Sequence, residues 1–263
     1  MADDISRRRL IARGLTWAAG IPLLGAAIEA SSPLIRMLRP TLGPYDYNRP
    51  PDSPPALLSI AAKVSDPELS YVWGAKSFVY NQMNVEYTPE HLNSSTIPGF
   101  VVKLPKEIAV KYANYFRTGP GVASDPAAPK TAEGIEKAEI AVFSRICVHL
   151  GCVFNYFGPQ PMPGAPKAAI EAGPNPSTDQ YWKQYNTVVQ SNYNYPGAKI
   201  NQGYFSCPCH FSVYDLDQFD PAHDNKLGKV VSGPAPRPPR FFFFELTDAG
   251  EVIAKGVESG GVA

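Results

Sequence analysis

Two six-residue boxes decide the fold, Cys147-Val148-His149-Leu150-Gly151-Cys152 and Cys207-Pro208-Cys209-His210-Phe211-Ser212. Each box holds two cysteines and one histidine. Together they contain all four cysteines and two of the four histidines in a chain of 263 residues. Chance does not readily place such scarce residues in two such similar boxes. We therefore interpret both boxes as metal-binding loops rather than as stretches with buried thiols.

The donors in the two boxes are two thiolates and two imidazoles, with one further thiol in each box. Tetrahedral zinc accepts two cysteines and two histidines, but a zinc site would leave two cysteines unused. In an exported protein, spare thiols that lie close together form a disulfide. Two ligand pairs and a disulfide favour a binuclear centre, and structural zinc is the alternative.

Both boxes resemble, nearly letter for letter, those of Rieske proteins. These proteins hold a [2Fe–2S] cluster with two cysteines on one iron and two histidines on the other. The resemblance implies that Cys147 and Cys207 bind the first iron. It also implies that His149 and His210 bind the second iron through Nδ1.

The same resemblance assigns roles to residues around the ligands. Cys152 and Cys209 match the family's disulfide pair. Ser212 and Tyr214 occupy the places of the serine and tyrosine that hydrogen-bond the cluster sulfurs and raise its potential. Leu150 resembles the apolar lid beside the cluster.

A proline loop and two departures from the family pattern complete the predicted site. The segment Gly233-Pro234-Ala235-Pro236 matches the loop that covers the cluster from a third side. Phe211 stands where glycine is usual, so we expect its backbone to avoid the conformation that favours glycine. Residues 153–206 form a link much longer than the family's. We interpret them as an insertion that contacts a partner subunit, mostly loop, with one short helix within Ser177–Gln190.

The N-terminus predicts export and membrane attachment. Residues 1–13 contain a twin-arginine-like signal around Ser6-Arg7-Arg8. The uncharged run Gly14–Ile28 predicts a transmembrane anchor helix over 14–36, with a cleaved signal peptide or a soluble amphipathic helix as the alternatives. The proline-rich segment 37–58 predicts an extended tether, or hinge.

The composition indicates a β protein, because 28 prolines and 21 glycines disfavour long helices over most of the chain. The resemblance implies an all-β fold, a Rieske-type antiparallel β sandwich over 59–263 with a small cluster-binding subdomain at about 145–236. We expect Phe241–Phe244 to lie in a strand covered on both faces. The predicted strands lie within Leu69–Val79, Gly99–Leu104, Glu139–Ser144, Arg240–Leu246 and Glu251–Ala254.

The resemblance implies an electron-transfer subunit of a quinol–cytochrome c oxidoreductase. His210 would contact quinol and His149 would be the second ligand whose proton follows the electron, which then passes to a cytochrome c haem. The implied partners are quinol, a cytochrome b subunit, and a cytochrome c-type subunit or soluble cytochrome c, within a dimeric complex. The chain would be a single-pass cell-membrane protein with its cluster domain on the outer, periplasmic side. The formal net charge of zero argues against nucleic acid as a partner.

Three other functions compete with this one. The small Rieske subunit of a periplasmic oxidase, such as arsenite oxidase, would share the export signal and disulfide. A Rieske oxygenase needs a further iron held by two histidines and a carboxylate, but His91 and His223 are the histidines left, and we expect both on the surface. A soluble ferredoxin would lack the anchor.

Overall fold

The computed structural model describes residues 59–83, 94–173, 179–183, 186–199 and 201–258. The predicted signal, anchor and tether, together with His91, lie outside the described residues. Within the described part of the chain, no helix is long and apolar enough to cross a membrane.

The described elements are twelve strands and four α-helices. The strands are β1 (Ser59–Lys63), β2 (Ala75–Met83), β3 (Ser94–Lys103), β4 (Ile140–Ser144), β5 (Asn155–Phe157), β6 (Gln160–Pro161), β7 (Trp182–Lys183), β8 (Tyr204–Ser206), β9 (Val213–Asp220), β10 (Lys226–Ser232), β11 (Phe242–Leu246) and β12 (Glu251–Val257). The helices are α1 (Lys106–Thr118), α2 (Ala128–Ala138), α3 (Lys167–Ala172) and α4 (Asn186–Asn192).

Every strand pairing in the described residues is antiparallel, as predicted. One three-stranded sheet has the order β1-β12-β11 and another has the order β2-β3-β4. A four-stranded sheet, β10-β9-β8-β5, carries the two boxes, and β6 pairs with β7. The antiparallel β fold is therefore confirmed.

The four consecutive phenylalanines lie in the core between these layers. Phe241–Phe244 are each at most 3% exposed, as predicted. Phe78 of β2 packs edge-on against Phe242, with 5.3 Å between ring centroids. Phe116 of α1 contacts Phe241 at 4.8 Å. Burial on both faces explains why this strand has no polar alternation.

Helices α1 and α2 were not predicted, because the proline and glycine count obscured a helical pattern. Pro105 immediately precedes α1, where its fixed φ suits the entry and its missing N–H costs no hydrogen bond. Apolar residues then recur at helical spacing and are buried. In α2, Thr131 Oγ1 lies 3.0 Å from both the backbone nitrogen and the carbonyl oxygen of Phe244, which joins the helix to β11.

The strand predicted over Leu69–Val79 is wrong in its first half. Pro67–Leu69 form a short 3-10 helix, and the strand begins only at Ala75. The intervening turn places Trp73 in the left-handed region with φ of 65°. A Cβ on Gly74 would lie 1.9 Å from the Glu68 carbonyl oxygen, so this turn requires glycine.

Residues 153–206 contain more regular structure than expected. They hold α3, α4 and four short strands, β5 to β8. The helix predicted within Ser177–Gln190 begins only at Asn186, after a short 3-10 helix at Asp179–Tyr181. The Tyr/Asn/Gln-rich composition hid these elements, since none has a long apolar period.

Lys226 makes the stability of the fold depend on pH. Its side chain is 5% exposed, pairs with Glu258 and lies 5.1 Å from the centre of the Phe241 ring. Burial lowers the pKa of Lys226 to about 8, and the nearby Glu258 partly opposes this. Between that value and the ordinary 10.5 the unfolded chain binds the proton more readily, so stability rises with pH.

We therefore expect the free energy of unfolding to increase by roughly 1.5 kcal/mol between pH 8 and about pH 9.5 through this residue. Urea unfolding of the wild type and Lys226→Met across this range isolates the effect, since methionine has no titrating group. Parallel pH curves for the two proteins would contradict the prediction.

Candidate metal centre

The pairing of β5 with β8 brings the two boxes together. The first box lies between β4 and β5, and the second connects β8 to β9. Asn155, just after the first box, is opposite Ser206, just before the second. The two boxes therefore lie at the same end of the four-stranded sheet.

The two boxes fold in the same way. In each, the N–H of the first residue donates to the carbonyl of the sixth, and the N–H of the fifth donates to the carbonyl of the first. The N···O distances are 2.7 and 2.9 Å in the first box and 2.8 and 3.0 Å in the second. Each box is thus a closed turn whose first cysteine is fixed by backbone hydrogen bonds.

Phe211 corrects one expectation. The fifth residue of each box has a positive φ, 78° at Gly151 and 61° at Phe211. Phe211 therefore does not avoid the left-handed region, because the hydrogen bonds that close the turn require it there. A residue with a Cβ is about 1 to 2 kcal/mol less stable than glycine in this conformation, so its surroundings must compensate.

The four cysteines divide into two kinds. Cys152 and Cys209 form a disulfide between the boxes, the same pair that the resemblance implies. Cys147 and Cys207 are free thiols, each 1% exposed. The sulfurs of Cys152, Cys207 and Cys209 lie within 4.8 Å of one another. Because two of the three are covalently joined, Cys207 is the one available as a ligand.

The surroundings of Cys207 disfavour a free thiolate. Burial raises its pKa, and the nearby Cys147 raises it further. Hydrogen bonds from the backbone N–H groups of Cys209 and His210 act in the opposite direction. Two buried thiols such as these bind a cation by giving up their protons, and the cation then neutralises the buried thiolates.

The two histidines of the boxes lie side by side. The ring centroids of His149 and His210 are 4.8 Å apart, and the rings are nearly perpendicular, at 87°. Nδ1 of His149 is buried with no hydrogen-bond partner, while the His210 side chain is exposed. A buried imidazole nitrogen without a partner is unfavourable unless it binds something. The donor set therefore fits an iron–sulfur cluster held by both boxes.

Two hydroxyl groups lie where the tuning residues were predicted. The Tyr214 hydroxyl is 3.1 Å from Cys147 Sγ. Burial raises the pKa of Tyr214, which keeps the phenol protonated and able to donate. Ser212 Oγ accepts a hydrogen bond from the Ala235 N–H at 3.1 Å, which leaves its own proton to donate elsewhere.

The proline loop packs directly against the second box. Gly233 has φ of 81°, and a Cβ there would lie 2.4 Å from Ser212 Cα. Ala235 is buried, while Pro234 and Pro236 are exposed. Only glycine permits this close backbone approach, so the loop forms a third wall beside the boxes.

Exposed apolar side chains lie in and beside the two boxes. Leu150 and Phe211 are 56% and 53% exposed. Val153, which the sequence did not single out, is 45% exposed. Of the remaining histidines, His223 Nδ1 lies 2.8 Å from the Asp220 carboxylate, apart from the boxes in sequence, which agrees with a surface role.

The structure therefore brings together two boxes that have the same turn. They contain two buried free thiols and adjacent imidazoles, and a disulfide joins them. This chain resembles the Rieske proteins. Among solved structures it matches the soluble domain of the Rieske protein II (soxF) from Sulfolobus acidocaldarius. The match has 22% sequence identity and a TM-score of 0.30, and it covers 70% of this chain and 72% of that chain. No protein-family model and no curated protein matches. The resemblance therefore rests on the residues of the two boxes.

Proposed function

We propose that the chain is the Rieske electron-transfer subunit of a quinol–cytochrome c oxidoreductase. One observation carries the proposal: buried thiols of Cys147 and Cys207 accompany adjacent imidazoles of His149 and His210, one with a buried, unpartnered Nδ1. This donor set suits a [2Fe–2S] cluster, with the thiolates on one iron and the imidazoles on the other. When bound, the cluster supplies a one-electron acceptor and donor.

The chain's own residues would divide the remaining work. His210 is exposed, so we propose that its Nε2, in the imidazolate form, would take one quinol proton while quinol gives up one electron to the oxidised centre. Leu150 and Phe211 would exclude water around the bound quinol ring. The Tyr214 hydroxyl stabilises the Cys147 thiolate, and the Cys152–Cys209 disulfide holds the boxes together.

The proposed setting follows from the N-terminal sequence. We propose that 14–36 anchors the chain in the cell membrane and that 37–58 is the tether of an extracytoplasmic cluster domain. The tether would let this domain carry an electron from quinol, bound at a cytochrome b subunit, to a cytochrome c haem.

Purification of the native protein from membranes tests the function. We expect cytochromes b and c to co-purify, and we expect quinol-dependent cytochrome c reduction. Co-purification with a molybdenum subunit and no cytochrome b would instead assign the chain to a periplasmic oxidase. Recovery entirely in the soluble fraction, without partners, would contradict both assignments.

The potential of the centre tests the roles of the two hydroxyls. Hydrogen bonds to a charged group contribute about 1.5 to 3 kcal/mol. If most of this contribution favours the reduced state, Tyr214→Phe lowers the midpoint potential by up to about 130 mV. Ser212→Ala should lower it as well. Redox titration followed by EPR measures both shifts, and Tyr195→Phe, whose hydroxyl bonds Asp215 instead, is the matched control. Unchanged midpoints in both variants would contradict this assignment.

A further inference from the structure

One residue of the insertion contacts three segments around the boxes. The ring of Tyr193 lies 5.9 Å from that of Phe211, edge to face at 66°. Its backbone carbonyl accepts a weak hydrogen bond from Ser232, next to the proline loop, at 3.4 Å. The centroid of the Tyr193 ring is also 5.6 Å from that of Phe157, and the Tyr193 hydroxyl forms a hydrogen bond with the Asn155 side chain.

This residue is held in place by its own buried cluster. Val189 and Tyr193 pack with Ala198, Tyr204 and Val213, all at most 7% exposed. Tyr204 is in β8, which leads into the second box, and Val213 immediately follows that box. Gln190 Nε2 donates to the Ala198 carbonyl at 2.6 Å, which ties α4 to the turn that follows. The part of the insertion from 189 to 198 therefore packs on both strands that flank the second box.

Phe211 is the residue of the second box that needs support. It has a positive φ, which costs a residue with a Cβ free energy, and it is 53% exposed. Tyr193 supplies its aromatic contact in the described residues. Phe211 in place of glycine and the long insertion are two unusual features of this chain. The contact between Tyr193 and Phe211 joins them.

We propose that Tyr193 is a positioning residue for the second box, and that its ring holds Phe211 in the left-handed turn that orients His210. The inference deepens the proposed function, and its spectroscopic test rests on that function because it needs the bound cluster. Its second test needs no cluster, because the N–H of residue 211 closes the same turn by donating to the Cys207 carbonyl, so its hydrogen exchange reports on the opening of that turn. This role gives the insertion a function at the site within the chain itself.

The cluster-free test is the hydrogen-exchange rate of the residue 211 N–H in apoprotein, measured by NMR. An aromatic pair contributes about 0.5 to 1.5 kcal/mol, so Tyr193→Ala should accelerate this exchange roughly 2- to 12-fold. Tyr193→Phe keeps the ring and should change the rate less than about twofold. Trp182→Ala is the matched control, since Trp182 is in the same insertion but packs against Tyr71.

Glycine at position 211 supplies the decisive comparison, because it adopts a positive φ without support. In a Phe211→Gly background, adding Tyr193→Ala should change the exchange rate of the residue 211 N–H less than about twofold. In the loaded protein, Tyr193→Ala should shift the EPR g-values or midpoint potential, and Tyr193→Phe should leave both unchanged.

Three results would overturn the inference: wild-type behaviour of Tyr193→Ala in both tests, an equal effect of Trp182→Ala, or an undiminished effect in the Phe211→Gly background. If no variant gives a cluster signal but Tyr193→Ala still accelerates hydrogen exchange at residue 211, the proposed function fails and the positioning role stands.

Discussion

Replacing Cys207 by serine should abolish the metal centre. The variant lacks one of the two buried free thiols, and a hydroxyl does not replace a thiolate as a ligand to iron in these sites. Even indirect partners of a ligand change metal affinity by about 10- to 100-fold, so losing a ligand itself should lower the affinity at least that far and leave the purified protein without the centre. Metal analysis and the visible spectrum of the purified protein measure the loss.

The neighbouring Ser206→Ala is the matched control for Cys207→Ser. Ser206 is fully buried beside Cys207, and its Oγ has no hydrogen-bond partner. The substitution therefore changes the residue next to Cys207 without removing a metal ligand. Full iron content in Cys207→Ser, or equal losses in both variants, would show that Cys207 is not a ligand.

Reduction of the Cys152–Cys209 disulfide should destabilise the apoprotein by about 4 kcal/mol at 25 °C. The two residues are 57 positions apart. In the chain-entropy view, a cross-link over a loop of this length restricts the unfolded chain by about that much. The expected measurement is a lower urea midpoint on addition of reductant, with a steeper denaturant slope because the unfolded chain is less compact without the cross-link.

The disulfide effect is best measured in a Cys147→Ala/Cys207→Ala background, which keeps the disulfide but has no free thiol to bind metal or to exchange. The same protein with Cys152→Ala and Cys209→Ala added is the control and should not respond to reductant. If reductant leaves the midpoint of the first protein unchanged, the disulfide contributes nothing to stability and serves only the centre.

The sequence was most informative where scarce residues lie close together. The two boxes predicted a metal centre because cysteines and histidines are few and their spacing is short. The structure places these residues at the same sheet end through the β5–β8 pairing. That pairing is not predictable from either box, because it depends on strands of three residues each.

The sequence was least informative where tertiary contacts override local preference. Helices α1 and α2 were missed because proline was counted as a helix breaker, although at a helix start it is compatible. Tyr193 was missed because one tyrosine among many gives no signal until the fold places it against Phe211. The left-handed Phe211 itself depends on turn hydrogen bonds that residue type does not predict.

EPR of the reduced protein, combined with redox titration, is the decisive measurement. Imidazole ligation on one iron predicts a g-average below that of clusters ligated by cysteine alone. It also predicts a positive midpoint potential, within the roughly −150 to +300 mV range of Rieske centres. A g-average of the all-cysteine kind with a midpoint near −400 mV, typical of plant-type ferredoxins, would contradict the imidazole ligands, and stoichiometric zinc without an EPR signal would contradict the cluster.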